Sequence, residues 1–139
     1  MDLWQHNVSL AVTPATPPPR QLATIFAGLM SMIYELRVYT AMPGRLPDVL
    51  ARFRDHTVGI WNRLGIRQLG YWTTAVGPDS NALTYMLVWE SLADREVKWG
   101  KFVVDPEWVE VRKASEAAGS IVAKMDNSFL APTSFSPAK

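Results

Sequence analysis

The chain carries two histidines and no cysteine, so His6 and His56 are the side chains able to titrate near neutrality without a large shift. Thiolate nucleophiles, thiolate metal sites and disulfides are excluded together. His6 falls in a segment that reads as separate from the rest, which leaves His56. On a helix it stands three residues after Phe53 and four before Ile60, which places it at the edge of an apolar stripe, facing a pocket between helix and sheet. A neutral imidazole there could accept a proton from a bound phenol, enol or hydroperoxide, a step worth roughly 10²–10⁴ in rate. The competing role is a partly buried histidine hydrogen-bonded to a strand group.

Other familiar chemistries fit poorly. A Ser-His-Asp triad fails because Asp55, next to His56, points about 100° away around the helix, and no nucleophile-elbow motif supplies a serine. A metal centre would have to combine His56 with carboxylates such as Glu35 or Glu90, without paired ligand spacing. Haem would need His56 as its axial ligand and finds no other support. No metal and no cofactor are expected.

Polar groups that could orient a ligand cluster at Glu35, Arg37 and Tyr39. Glu35 and Arg37 lie on one strand face about 6–7 Å apart, close enough to pair; such a pair could hold a polar ligand or fix the register of an interface. Tyr39 on the same face could donate to a ligand oxygen. Among the aromatics Trp61, Trp72, Tyr85, Trp89, Trp99, Phe102 and Trp108, which could wall an apolar cavity, Trp72 is the candidate contact because Gly70 beside it leaves room.

These residues need elements to hold them. Ile33 to Thr40 reads as a half-buried strand, with Tyr34, Leu36 and Val38 on one face and Glu35, Arg37 and Tyr39 on the other. The polar set would be costly beneath a helix and is expected on the uncovered face. Leu46, Val49, Leu50, Phe53, Thr57, Ile60 and Leu64 recur at helical spacing from Pro47 to Leu64, and Gly65 stops the helix. Strands over 66–76 and 82–90 flank the loop Gly77-Pro78-Asp79-Ser80-Asn81 as a hairpin. Ser91 with Asp94 starts one helix and Asp105-Pro106 another, running to about Ala118. A fourth strand spans 121–131. The order β-α-β-β-α-β is α+β and ferredoxin-like, with two helices on one face of a four-stranded antiparallel sheet. The bare face would expose an apolar patch, so two copies are expected to close over it as a homodimer.

The 139 residues, 48% hydrophobic and with a net charge of +1 from fourteen basic and thirteen acidic residues, bound the chain to one modest domain. Arg52, Arg54, Arg63 and Arg67 are interrupted by Asp55 and read as a solvated helix surface, so no nucleic-acid partner is expected. Residues 1–31 hold two charged residues and four of the ten prolines and form a separate Pro-rich leader or N-terminal extension ahead of a domain over 32–137. The apolar run from Leu22 to Met32 is too short to span a bilayer and matches a secretory signal poorly, so no membrane partner is expected.

Several motifs now stand in order: Met32-Ile33-Tyr34-Glu35-Leu36-Arg37-Val38-Tyr39-Thr40, Pro43-Gly44, Gly70-Tyr71-Trp72, Trp89-Glu90-Ser91-Leu92-Ala93-Asp94-Arg95, Asp105-Pro106-Glu107-Trp108 and Leu130-Ala131-Pro132-Thr133-Ser134-Phe135-Ser136. Together they resemble the NIPSNAP family from Met32 to about Pro137. The resemblance implies a dimeric α/β barrel, two ferredoxin-like subunits packed sheet against sheet, in a superfamily that includes cofactor-free monooxygenases and isomerases. It does not imply one reaction. Animal members carry tandem domains behind a presequence and are associated with mitochondria; this chain has one domain and no Arg-rich leader, so a cytoplasmic version is expected.

The expected function is the binding of a small apolar or aromatic molecule, with His56, Tyr39 and Arg37 as polar contacts, and with cofactor-free chemistry open. The rival class is an interaction or scaffold protein acting through its dimer surface. A solvent-reachable cavity beside His56 favours the first, and a closed, aromatic-packed interior favours the second.

Overall fold

The structure is a computed structural model that describes residues 18–21 and 32–138; of the expected leader, all but 18–21 lies outside the described residues. Strand β1, Ile33–Ala41, leads into helix α1, Leu46–Arg52, then a π-helical turn, Phe53–Thr57, and helix α2, Val58–Arg63. The hairpin strands β2, Arg67–Thr73, and β3, Ala82–Trp89, follow, then helices α3, Leu92–Val103, and α4, Pro106–Ser115, and finally β4, Val122–Leu130. The four strands lie in the order β2-β3-β1-β4, all pairs antiparallel. That is the ferredoxin-like α+β arrangement that the element order predicts.

The punctuation residues act as the sequence indicates. Gly65 takes a φ of 71° after α2, a left-handed conformation that costs a glycine little. Ser91 Oγ accepts from the Asp94 amide at 3.0 Å, and the Asp105 carboxylate accepts from the Glu107 and Trp108 amides at 3.1 and 3.3 Å. Each cap satisfies donors that a helix start leaves without partners. Helix α4 ends at Ser115, short of the expected Ala118. No helix among the described residues is long and apolar enough to cross a membrane.

The long helix of the sequence pattern is interrupted. At the π-helical turn the Thr57 hydroxyl donates to the Arg52 carbonyl five residues back, at 3.2 Å. Five residues here occupy a wider turn than an α-helix would make. Phe53 and Thr57 therefore both face inward, while Arg54, Asp55 and His56 between them are exposed.

The faces of the sheet are the reverse of the expectation. Glu35, Arg37, Tyr39 and Ala41 of β1 are buried beneath the helices, beside Leu83, Tyr85, Leu87 and Trp89 of β3. Tyr34, Leu36 and Val38 face the uncovered side with Thr84, Met86 and the exposed Trp72. A polar set is tolerated under helices here because its members satisfy one another, which removes the desolvation penalty that argued against burial.

The core is aromatic. Tyr85 stands at its centre, with ring centroids of Phe53, Tyr39, Trp61 and Tyr71 at 5.1, 5.2, 5.5 and 5.9 Å. Val49, Ile60, Ile66 and Phe102 close around it. Packing is uneven across the sheet. Helix α4 contributes no buried residue, and every residue of β4 after Val122 is exposed, so the space between α4 and β4 stays open.

Candidate functional site

That opening leads into a cavity of about 420 Å³ between the helices and the sheet. Its floor is Arg37 and Tyr39 of β1 with Val122 to Met125 of β4; its roof is Arg52, Phe53, Thr57 and Trp61. Trp99 and Phe102 of α3, with Trp108, Arg112 and Glu116 on or just after α4, make the sides. The size suits a small organic molecule.

Arg37 organises the floor. Its Nε donates to the Tyr85 hydroxyl at 2.7 Å, Nη1 to Glu35 Oε1 at 2.7 Å and Nη2 to the Tyr39 hydroxyl at 3.1 Å. Its guanidinium also lies 4.6 Å from the Trp99 ring centroid, a cation–π contact strengthened by burial. Burial opposes its charge, but Tyr85, Tyr39 and Glu35 outweigh that and hold the guanidinium above its ordinary value. Tyr85 shifts in the same direction: burial, reinforced by Tyr39, pushes its phenol well above the usual range, so it stays a neutral donor and acceptor.

Glu35 is an anchor rather than a cavity group. It accepts from Arg37, from Trp89 Nε1 at 2.8 Å, and from Arg95 Nη2 and Nε at 3.3 and 3.5 Å. Arg95 lies over the other aromatic neighbours, 4.9 Å from Trp99 and 5.5 Å from Phe129. Two guanidiniums thus share one carboxylate, and Arg95 reaches a second, Glu96, at 3.1 Å. Each side chain here spends its hydrogen-bonding groups on another, so Arg37 and Tyr39 are held rigidly where they meet the cavity.

The roof carries two donors of a different kind. Arg52, buried at 6% exposure, donates from Nη1 to Ser115 Oγ at 3.3 Å and Glu116 Oε1 at 3.2 Å, and its guanidinium stacks 5.4 Å from the Trp108 ring centroid. Its Nε makes no hydrogen bond, and neither does Nε1 of Trp61. Among the described residues these are the two buried side-chain polar atoms without a partner. A buried donor left in that state costs about 1–3 kcal/mol, and both residues line the cavity.

The expected site residues divide into three groups. Glu35, Arg37 and Tyr39 come together as one hydrogen-bonded network, though under the helices rather than on the bare face. Trp72 lies on the opposite side of the sheet, about half exposed. Its indole lies so close over Gly70 that a Cβ there would sit 2.8 Å from Cζ2; the glycine makes room for the tryptophan itself. His56 is exposed and does not face the space between helix and sheet as expected. It borders a broad surface groove between α1 and α4, with Asp48, Asp55 and Glu110, because the π-helical turn rotates it out of the buried stripe.

Sequence reasoning missed Arg52, Arg95 and Glu116. Arg52 reads as part of a solvated basic surface, yet it stands three residues after Val49 and directly before Phe53, both inward-facing. Its position in that stripe was the available signal. Arg95 carries none, since its partner Glu35 is sixty residues away.

A profile of the NIPSNAP family matches residues 34–137. Among solved structures the chain is similar to an uncharacterized NIPSNAP-like domain protein from Burkholderia xenovorans, at 29% identity over 78% of this chain and 90% of that one, with a TM-score of 0.68. It is similar also to a NIPSNAP family protein from Agrobacterium tumefaciens strain C58, at 29% identity over 78% and 99% of the two chains, with a TM-score of 0.69. A candidate antibiotic biosynthesis monooxygenase from Chloroflexus aurantiacus J-10-fl shares the fold, at 15% identity over 78% and 100%, with a TM-score of 0.51. No curated protein matches the chain.

Proposed function

The chain belongs to the NIPSNAP family, and from that premise we propose that it is a homodimeric binding protein whose subunits each hold a small, flat, largely apolar molecule between helices and sheet. The observation that carries this reading is the cavity of about 420 Å³, walled by Tyr39, Phe53, Trp61, Trp99, Phe102 and Trp108, with an opening between α4 and β4. Aromatic walls with a few fixed polar groups are the usual makeup of a small-molecule site.

Binding, rather than base catalysis by His56, is the function this geometry favours. The imidazole opens onto the far side of α1, and Glu35 is committed to two guanidiniums and an indole. Tyr39, fixed by Arg37, is the hydroxyl that meets the ligand. The candidate monooxygenase from Chloroflexus aurantiacus supports the architecture alone.

Dimer formation is supported by the uncovered sheet face, where Trp72, Tyr34, Leu36, Val38 and Met86 leave apolar surface in water. Two copies meeting there by a two-fold axis would cover that patch with itself. The test of the binding function is a thermal-shift panel of quinols, phenols and short acyl compounds on the full chain. A bound ligand raises the melting temperature in proportion to RT ln(1 + [L]/Kd), and a flat response across the panel at millimolar ligand would sink the proposal.

A further inference from the structure

Resting on the reading that the cavity holds a ligand, we infer that it accepts only uncharged aromatic molecules, such as aryl ketones and protonated phenols, and refuses aromatic acids and amines. The charges of its wall are spent on one another, and its tryptophan faces are spent on guanidiniums.

An acid would need a free cation. Arg37 is held by Glu35 at 2.7 Å and by the Tyr85 and Tyr39 hydroxyls. Arg52 gives Nη1 to Ser115 and Glu116, and its Nε has no surface that a ligand could touch. Arg112 leans on Glu116 at 3.6 Å and Lys124 on Asp126 at 2.8 Å, with side chains 65% and 67% exposed. Glu116 has two arginines to balance, so one positive charge is left over, and it stands at the mouth on Arg112, where solvent screens it.

An amine would need a free carboxylate or the face of an aromatic ring. Glu116, the carboxylate of the wall, is shared by Arg52 and Arg112. Over Trp99 lie the guanidiniums of Arg37 at 4.6 Å and Arg95 at 4.9 Å. Trp108 has Arg52 over it at 5.4 Å and Phe102 packed against it at 4.6 Å. A further cation on these rings would stand beside the first, and like charges repel most strongly where water is scarce.

An ion of either sign that enters therefore gives up its water and meets no partner. A neutral ring gives up little and gains apolar contact with Phe53, Trp61 and Phe102.

The experiment is calorimetric titration of the full chain with four probes that share a naphthalene body: 2-acetylnaphthalene, 2-naphthol, 2-naphthoate and 2-naphthylmethylammonium. The ketone and the naphthol are expected to bind at least tenfold more tightly than either ion. Glu116→Gln releases Arg52 and Arg112 and should narrow the ketone-to-naphthoate ratio at least threefold, without narrowing the ketone-to-ammonium ratio. If that variant fails to fold, the wild-type ratios decide alone. Equal affinity for the ketone and either ion, or an unchanged naphthoate ratio in a folded variant, overturns the inference and leaves the binding function standing. No binding by any probe up to its solubility limit overturns both.

Discussion

Glu35 and Arg37, two residues apart on β1, meet at 2.7 Å beneath the helices with the carboxylate wholly buried. Arg95 closes on the same carboxylate from α3 at 3.3 Å. This triad ties the strand that floors the cavity to the helix that walls it.

Removing its centre should be costly. Glu35→Ala leaves Arg37 without a carboxylate partner and Arg95 with Glu96 alone, and breaking a buried pair from one side typically costs about 3–5 kcal/mol. Urea denaturation measures this. The double variant Glu35→Leu with Arg37→Met is expected to recover part of the loss, because it takes out both charges.

The two raised tyrosines make a prediction at alkaline pH. Burial pushes both Tyr71 and Tyr85 above the ordinary phenol value. The unfolded chain releases these protons near pH 10 while the fold keeps them, so the folded state binds more protons there and stability falls as pH rises past about 10. Ultraviolet titration at pH 10–11 should show no less phenolate in Tyr85→Phe than in the wild type until unfolding begins.

At acid pH the sign is opposite. Hydrogen bonds from Arg63 at 3.0 Å, helped by the Trp108 and Glu107 amides, hold the Asp105 carboxyl below its ordinary value. Its stabilisation is present above that ordinary value, near pH 4, and is lost as pH falls through the lowered one. Asp105→Asn should melt lower at pH 7 and show a shallower decline of melting temperature between pH 5 and 2.

His56→Ala is expected to leave ligand affinity unchanged and to alter stability by less than about 0.5 kcal/mol, as for most exposed positions. Calorimetry with a compound that raises the melting temperature in the thermal-shift panel checks it; a tenfold loss of affinity would place the imidazole back in the site.

Trp72→Glu puts a charge on the uncovered sheet face and should convert the proposed dimer to a monomer at micromolar concentration in sedimentation velocity, with ligand binding measured alongside. A wild type that sediments as a monomer at the same concentration refutes assembly through this face.

Local chemistry was legible in the residues themselves. Alternation marked β1, the three- and four-residue spacing marked the first helical stretch, and Ser91, Asp105 and Gly65 fixed helix ends, because caps and left-handed turns depend on side chains within a few positions. The sequence also put Glu35, Arg37 and Tyr39 on one strand face, since pleating alone does that. Which side of the sheet that face would meet was decided only by tertiary structure. Trp89, fifty-four residues from Glu35, and Arg95, sixty residues from it, supply the partners that make burial affordable, and no local pattern encodes such a pairing. The same holds for His56 and Arg52: a single π-helical turn rotates one outward and leaves the other buried over Trp108, a phase change that hydrophobic spacing read as a regular helix could not carry.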